Sequence, residues 1–310
     1  MNEPFIFANG GYDGELLGNM APGRCSAREK CFQGNSSTEP YIVAHHLLLC
    51  HAATVKLYKE KYQPIQTGEI GITLVTHWFI PYSSSRLDVE AAQRALDFMY
   101  GWFINPLVHG NYPRIMQSLV GNRLPKFTKE QAAMLKGSFD FLGLNYYTGI
   151  FAAHIFSRDG NISSTTDNMV RLSTLDINNV SIDEPTGMHA FFVYPKGLYK
   201  LLVYTKEIYK NPTIYITENG IADSSNGTVK HAIEDLQRIK FYSGHFRTVQ
   251  EAINQGVNVK GFFAWSFLDT FEWRSGYTLR FGLYYVDYKN GFKRVLKQSA
   301  AWLKICLSNK

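Results

Sequence analysis

Short segments that are apolar on both faces alternate with longer segments that are apolar on one, and this alternation constrains the fold more than any other feature. Gly68 to Tyr82 (GEIGITLVTHWFIPY) reads as a strand buried on both sides, and Leu87 to Phe103 follows with helical spacing. Phe139 to Gly149 predicts a second strand, and Pro195 to Tyr209 a helix with proline in its first turn. Pro212 to Gly220 reads as a third strand, Ala232 to Gly256 as a long helix closed by glycine, and Val259 to Asp269 as a fourth strand. A helix over Glu39 to Tyr62 precedes the series and one over Lys293 to Leu307 ends it. Strands buried on both faces and separated by helices join through crossovers into a parallel sheet. Two insertions, Asn105 to Ser138 and Phe151 to Tyr194, are assigned to the far side of strands, where functional loops are expected. No internal repeat or low-complexity tract interrupts the pattern, so residues 1–310 are read as a single domain.

Composition removes several classes of function. With 45% hydrophobic and 19% charged residues, the chain does not fit intrinsic disorder. Its longest apolar stretch, Tyr41 to Val55, is interrupted by His45, His46 and His51 and falls short of the roughly 20 residues a membrane span needs. The first twenty residues carry Glu3, Asp13 and Glu15 with no Lys or Arg, unlike a signal peptide. The net charge of +6 is scattered; Lys56, Lys59 and Lys61 are interleaved with Glu60, as on a solvated helix face, so no nucleic-acid partner is expected. His45, His46, Cys50 and His51 share one helix, but a metal needs three or four converging ligands, and a packed helix is the reading. Four cysteines are too few for a disulfide scaffold, although Cys25 and Cys31 share a loop and are near enough to bridge. Asn-x-Ser/Thr sequons begin at Asn35, Asn161, Asn179 and Asn226. The absence of G-x-S-x-G, G-x-x-x-x-G-K and G-x-G-x-x-G weakens serine-hydrolase, nucleotide-hydrolase and Rossmann readings.

Polar residues collect where the strands end: Thr76-His77-Trp78, Asn145-Tyr146-Tyr147, Thr217-Glu218-Asn219 and Trp265-Ser266. In parallel α/β folds that end carries the ligand. An acidic side chain closing an apolar strand, as Glu218 does, is costly unless it works or is paired. Glu3, in Asn2-Glu3-Pro4, is a second carboxylate just before a glycine-rich stretch. Two carboxyl groups on either side of a glycosidic bond suffice for hydrolysis with retention, one attacking the anomeric carbon and the other protonating the leaving oxygen. The charge of one raises the proton affinity of the other, so one pair supplies both roles. Trp265, Trp273, Phe281 and Tyr147 offer apolar platforms for sugar faces, and Glu272 and Asn2 offer acceptors and donors for hydroxyls.

These residues sit in segments that resemble the plant β-glucosidases of glycoside hydrolase family 1. The resemblance runs through NEP at Asn2, GRCS at Gly23, GNSSTEPYIVAHHLLLCHA at Gly34 and IGITLVTHWFIPYS at Ile70. It continues through LPKFT, FDFLGLNYYT, VYPKGL, IYITENG, FAWSFLDTFEW and RFGLYYVDY, and covers Met1 to Leu307. It implies Glu218 as nucleophile and Glu3 as acid/base, a glutamate where the family's thioglucosidases carry glutamine. It further implies Asn2 on the 2-hydroxyl, Asn145 and Tyr147 orienting the nucleophile, and Trp265 beneath the sugar. Glu272 and Trp273 are implied on the 4- and 6-hydroxyls, Phe281 at the rim, and a loop disulfide at Cys25 and Cys31. A small-molecule β-glucoside substrate, no cofactor or metal, and a secreted or vacuolar compartment follow from the same resemblance. Hydrolysis and transglucosylation stay open, since they differ only in the acceptor.

Three departures qualify the expectation. Asn111-Tyr112-Pro113 stands where the family has DYP, and Ala190 stands where the family has a tryptophan lining the aglycone side, which widens the entrance. NEP in the family closes the fourth barrel strand. The fold expected here is therefore the C-terminal part of a (β/α)8 TIM barrel, from the end of strand 4 through strand 8 and the final helix. The glutamine and histidine that hold the 3- and 4-hydroxyls have no counterpart, and any leader would lie upstream. Open strand edges and a Glu3 on a frayed terminus lead to the expectation of a poorly active or catalytically silent chain that at most binds sugar.

Overall fold

Ile72, Leu142 and Ile214 are lateral neighbours in a parallel sheet, as are Leu74, Leu144 and Ile216, and all six side chains are buried. These two rows are one face of the sheet in the computed structural model, which describes residues 1–14, 18, 20–157, 162–224 and 228–308. The strands are Gly71–Val75, Phe141–Asn145, Ile214–Asn219 and Val259–Ala264, paired in that order and all parallel. Asn2 adds a parallel bridge to Thr73 on the outer side of the first strand. Neighbours in sequence that are neighbours in the sheet, each followed by helix, make an arc of a (β/α)8 barrel.

The opposite face alternates large and small. Thr73, Gly143, Tyr215 and Gly261 form one lateral row, with the Phe141 ring edge-on to Tyr215 at 5.2 Å. Glycine is required at 143 because a Cβ there would collide with Thr73 Oγ1. Phe263 on the last strand is 57% exposed, so this face is only partly covered among the described residues.

Helices pack on the aliphatic rows. Glu39–Leu57, Arg86–Leu96, Trp102–His109, Pro195–Ile208 and Leu236–Asn254 supply the outer layer, with fully buried Trp102 against Tyr41 at 5.0 Å and Phe5 at 6.1 Å. His45 stacks on Phe127 at 4.5 Å and bonds Tyr112 Oη at 3.0 Å, while His51 Nε2 bonds the Ser138 carbonyl at 2.7 Å, so both are packed side chains of this layer. No described helix is long and apolar enough to cross a membrane.

Several boundaries differ from those expected from sequence. The strand expected over Gly68 to Tyr82 is two, Gly71–Val75 and Trp78–Pro81, because Thr76-His77 leaves the sheet at the ligand end before the chain pairs again with Gly149–His154. The helix expected from Leu87 to Phe103 continues through a π turn, Asp97–Gly101, to His109. The long helix expected from Ala232 splits at Glu234-Asp235, where the Asp235 carboxylate turns to accept from Ser299 Oγ at 2.6 Å. Lys293–Leu296 is a strand antiparallel to Tyr284–Asp287, and the last helix starts only at Gln298; cross-strand pairing overrides helical spacing there. The insertion at Asn105 to Ser138 is not at the ligand end: it follows a helix and folds back along Glu39–Leu57, with Tyr112 stacked on Phe127 at 4.6 Å. The sequons at Asn161 and Asn226 lie outside the described residues.

Leu144 and Ile305 separate packing from surface. Leu144→Ala, at a fully buried position, is expected to lose about 2–5 kcal/mol in urea unfolding. Ile305→Ala, at a position 60% exposed, is expected to stay within about 0.5 kcal/mol.

Candidate active site

The ends of four adjacent strands and the first residues of the chain converge. Val75 pairs with Asn145, Asn145 with Glu218, and Asn219 with Ala264, so the polar side chains predicted at strand ends stand side by side. Glu3 joins them through backbone pairing. Thr73 N–H donates to Met1 O at 3.0 Å and Glu3 N–H donates to Thr73 O at 2.9 Å, after which the helix Pro4–Tyr12 begins. Glu3 therefore does not hang on a frayed end: it adopts a left-handed conformation (φ 47°) between a strand bridge and a helix.

Asn145 is the connecting side chain. Its amide nitrogen donates to Glu3 Oε1 at 2.7 Å and to Asn2 Oδ1 at 3.2 Å, and its oxygen accepts from Thr217 Oγ1 at 2.6 Å. That last bond fixes which way the amide faces. Tyr147 Oη donates to Glu218 Oε2 at 2.6 Å, and Asn145 is paired with Glu218 in the sheet register. Thr217 is not among the site residues expected from sequence; its place directly before Glu218 is the signal that points to it.

The two carboxyl groups hold protons unequally. Burial pushes Glu3 up to about 7; the Asn145 bond pulls it back and the nearby Glu218 charge pushes it further up. Burial raises Glu218 as well, but hydrogen bonds from Tyr147, Asn145 and Asn2 all favour its charged form, against the charge of Glu272. Glu272 is raised by burial and held down by bonds from Thr270 Oγ1, at 2.6 Å, and from Trp265.

The remaining predicted residues divide. Phe281 is buried and packs edge-on to Tyr147 at 6.0 Å, behind the site and not at an open rim. Trp273, 67% exposed, stands in a short turn, Trp273–Ser275, directly after Glu272. Trp265 closes the Val259–Ala264 strand, and Gly220 must be glycine because a Cβ there would meet the Trp265 carbonyl. Beside Ala190, Phe191 places its ring 5.5 Å from His77 and 6.1 Å from Tyr147, occupying part of the entrance that the alanine opens. Burial pushes His77 down to about 4, so its imidazole is neutral. Cys25 and Cys31 form a disulfide with a Cα separation of 5.5 Å. No group of three or more described His, Cys, Asp or Glu residues is arranged to hold a metal ion.

Known proteins resemble this chain in sequence and in fold. The sequence pattern of glycosyl hydrolase family 1 matches residues 1–310. The chain is 54% identical to furcatin hydrolase of Viburnum furcatum over 98% of its own length and 55% of that protein's. It is 51% identical to beta-glucosidase 12 of Oryza sativa over 98% of its length and 60% of the relative's. A crystal structure of the rice beta-glucosidase Os3BGlu6 superposes with a TM-score of 0.93 at 42% identity, covering 98% of this chain and 64% of that one. A beta-glucosidase from the fungus Humicola insolens in complex with glucose gives 0.93 at 37% identity, with 99% and 64% coverage. The chain thus spans just over half to under two thirds of the length of the relatives it resembles.

The Glu3 proton affinity has a consequence for stability. A carboxyl group raised in the folded state binds its proton more tightly folded than unfolded, so its contribution is intact below about pH 4.5 and is lost as pH rises through about 7. Glu3→Gln removes that loss. The variant is expected to melt above the parent at pH 8 and level with it at pH 4, as measured by circular dichroism.

Proposed function

We propose, from the premise that this chain belongs to glycosyl hydrolase family 1, that it is the catalytic domain, or a large part of it, of a retaining β-glucosidase acting on terminal β-D-glucosyl O-glycosides. The observation that carries the reading is the pair Glu3 and Glu218, both beside Asn145, the first bonded to it and the second paired with it in the sheet, and unequal in proton affinity. Glu218, with three donors favouring its anion, attacks the anomeric carbon. Glu3, neutral up to about pH 7, gives its proton to the departing glycosidic oxygen. The resulting glycosyl ester on Glu218 is then opened by water whose proton passes to Glu3, which restores both groups. Tyr147 and Asn145 hold the nucleophile's oxygens, and Asn2 takes the 2-hydroxyl. Trp265 forms the platform under the ring, Glu272 and Trp273 take the 4- and 6-hydroxyls, and Phe281 backs Tyr147. No metal or cofactor takes part in this scheme. A secreted or vacuolar location suits the Cys25–Cys31 disulfide.

A second reading is a sugar-binding chain that is catalytically silent. It is favoured by the sheet face at Phe263, which is only partly covered among the described residues. A 2-deoxy-2-fluoroglucoside with a good leaving group separates the two: the glucosidase gains covalent mass on the peptide containing Glu218, and the silent chain gains none.

In the glucosidase reading, kcat/KM falls as pH rises through about 7, where Glu3 loses its proton. Glu3→Gln is expected to abolish that limb and to lower kcat by about 100- to 10,000-fold on alkyl glucosides, with a smaller loss on nitrophenyl glucosides whose leaving group needs no proton. Equal losses on both substrates exclude Glu3 as the acid.

A further inference from the structure

The segment from Trp265 to Phe281 carries four side chains of the candidate site, yet its only regular structure is one short turn and the two-residue strand Leu279–Arg280. What holds it is a carboxylate. Asp269, 4% exposed, accepts four hydrogen bonds. Its Oδ1 takes Lys297 Nζ and Gly282 N–H, each at 3.0 Å, and its Oδ2 takes Arg280 Nη1 at 2.7 Å and Val286 N–H at 3.2 Å. The Asp269 N–H in turn donates to Tyr284 O at 3.1 Å. The donors thus come from the far end of the segment, from the strand after it and from the approach to the last helix.

Arg280 extends the network. Its Nη1 also donates to Val286 O at 3.0 Å, and its carbonyl oxygen accepts from Arg238 Nη2 at 3.3 Å. Arg238 is fully buried and ion-paired with Asp235 and Asp223; it donates as well to Ile221 O, three residues beyond Glu218, and to Phe281 O. The stretch that follows the Glu218 strand and the segment bearing Glu272 are therefore tied to one set of buried charges.

We propose that Asp269 is a positioning residue: by tying the middle of the Trp265–Phe281 segment to its far end and to the chain beyond, it sets Trp265 and Glu272 against Glu218. It acts through the segment and does not touch substrate. Its consequence for sugar binding rests on the glucosidase reading; the positioning itself does not. Asp269 lies three residues before Glu272, and Thr270, the next residue, donates to Glu272, so a shift at Asp269 is passed to that carboxylate within one turn of chain. The Trp265 indole lies near enough to Glu272 to favour its charged form, so the indole N–H reports whether the setting is kept.

The test is the indole N–H spectrum of the full chain, with the Trp265 resonance assigned by its loss in Trp265→Phe. Asp269→Asn leaves Lys297 buried beside a neutral amide. The paired variant Asp269→Asn/Lys297→Met leaves that buried lysine out and stands in if the single one does not fold. In a variant that still unfolds cooperatively, the Trp265 indole N–H resonance is expected to shift while that of Trp102, buried in the other part of the core, does not move. Where the chain turns over aryl glucosides, KM is expected to rise about tenfold or more with a smaller change in kcat. A Trp265 resonance unchanged in a folded variant of lower stability overturns the proposal and leaves Asp269 a structural ion-pair partner. Unfolding of both variants overturns it in the same way. Absence of turnover by the parent chain counts against the glucosidase reading alone, because the indole measurement needs no catalysis.

Discussion

Two backbone hydrogen bonds decide whether the chain has one carboxylate at its ligand end or two. Thr73 receives Glu3 N–H and gives its own N–H to Met1 O, and these two bonds set the height of the first three residues against the sheet. An extended strand would be a stronger anchor, but the bridge is backed by the buried Pro4 and Phe5 of the following helix, with Phe5 against Trp102. Asn145 then reads the result, since its amide reaches Glu3 only if the bridge is made. The unequal proton affinities of Glu3 and Glu218 depend on that geometry: Glu3 is the more strongly raised by burial, while Tyr147 and the neighbouring Asn145 and Asn2 amides favour the Glu218 anion.

The same economy of support appears on the other side of the site. Helices anchor the aliphatic rows of the sheet by packing, which is tolerant of small shifts, while the long segment after the last strand is held by buried charge. Buried ion pairs add little net stability over well-packed apolar groups, yet they penalise every arrangement in which a partner is missing. Directional support of this kind suits a segment that must present aromatic and acidic side chains at fixed heights without a regular backbone of its own.

Much of this is legible in the sequence. Strands apolar on both faces announce a parallel sheet, and residues such as Glu218 and Asn145 at their ends announce where ligands go, because a charge at the end of an apolar strand demands a reason. The resemblance of the NEP and TENG segments to family 1 then joins two residues 215 positions apart, Glu3 and Glu218, that no periodicity connects. What stays hidden depends on partners remote in sequence. Lys293–Leu296 has helical spacing, and its strand partner, Tyr284–Asp287, lies across a turn; the break at Asp235 needs Ser299; and Asp269 looks like one more acidic loop residue until Lys297 and Arg280 are seen to converge on it. The insertion after His109 departs from expectation for a simpler reason: it follows a helix, and helix-to-strand connections lie at the end of a barrel away from the ligand.

The last strand, Val259–Ala264, has a neighbour on one side only among the described residues, and Phe263 projects from it half in solvent. Such a border is chemically unsaturated: its peptide groups are spaced to receive another extended chain, and an aromatic ring marks the place. The occupancy of that border is then governed by mass action.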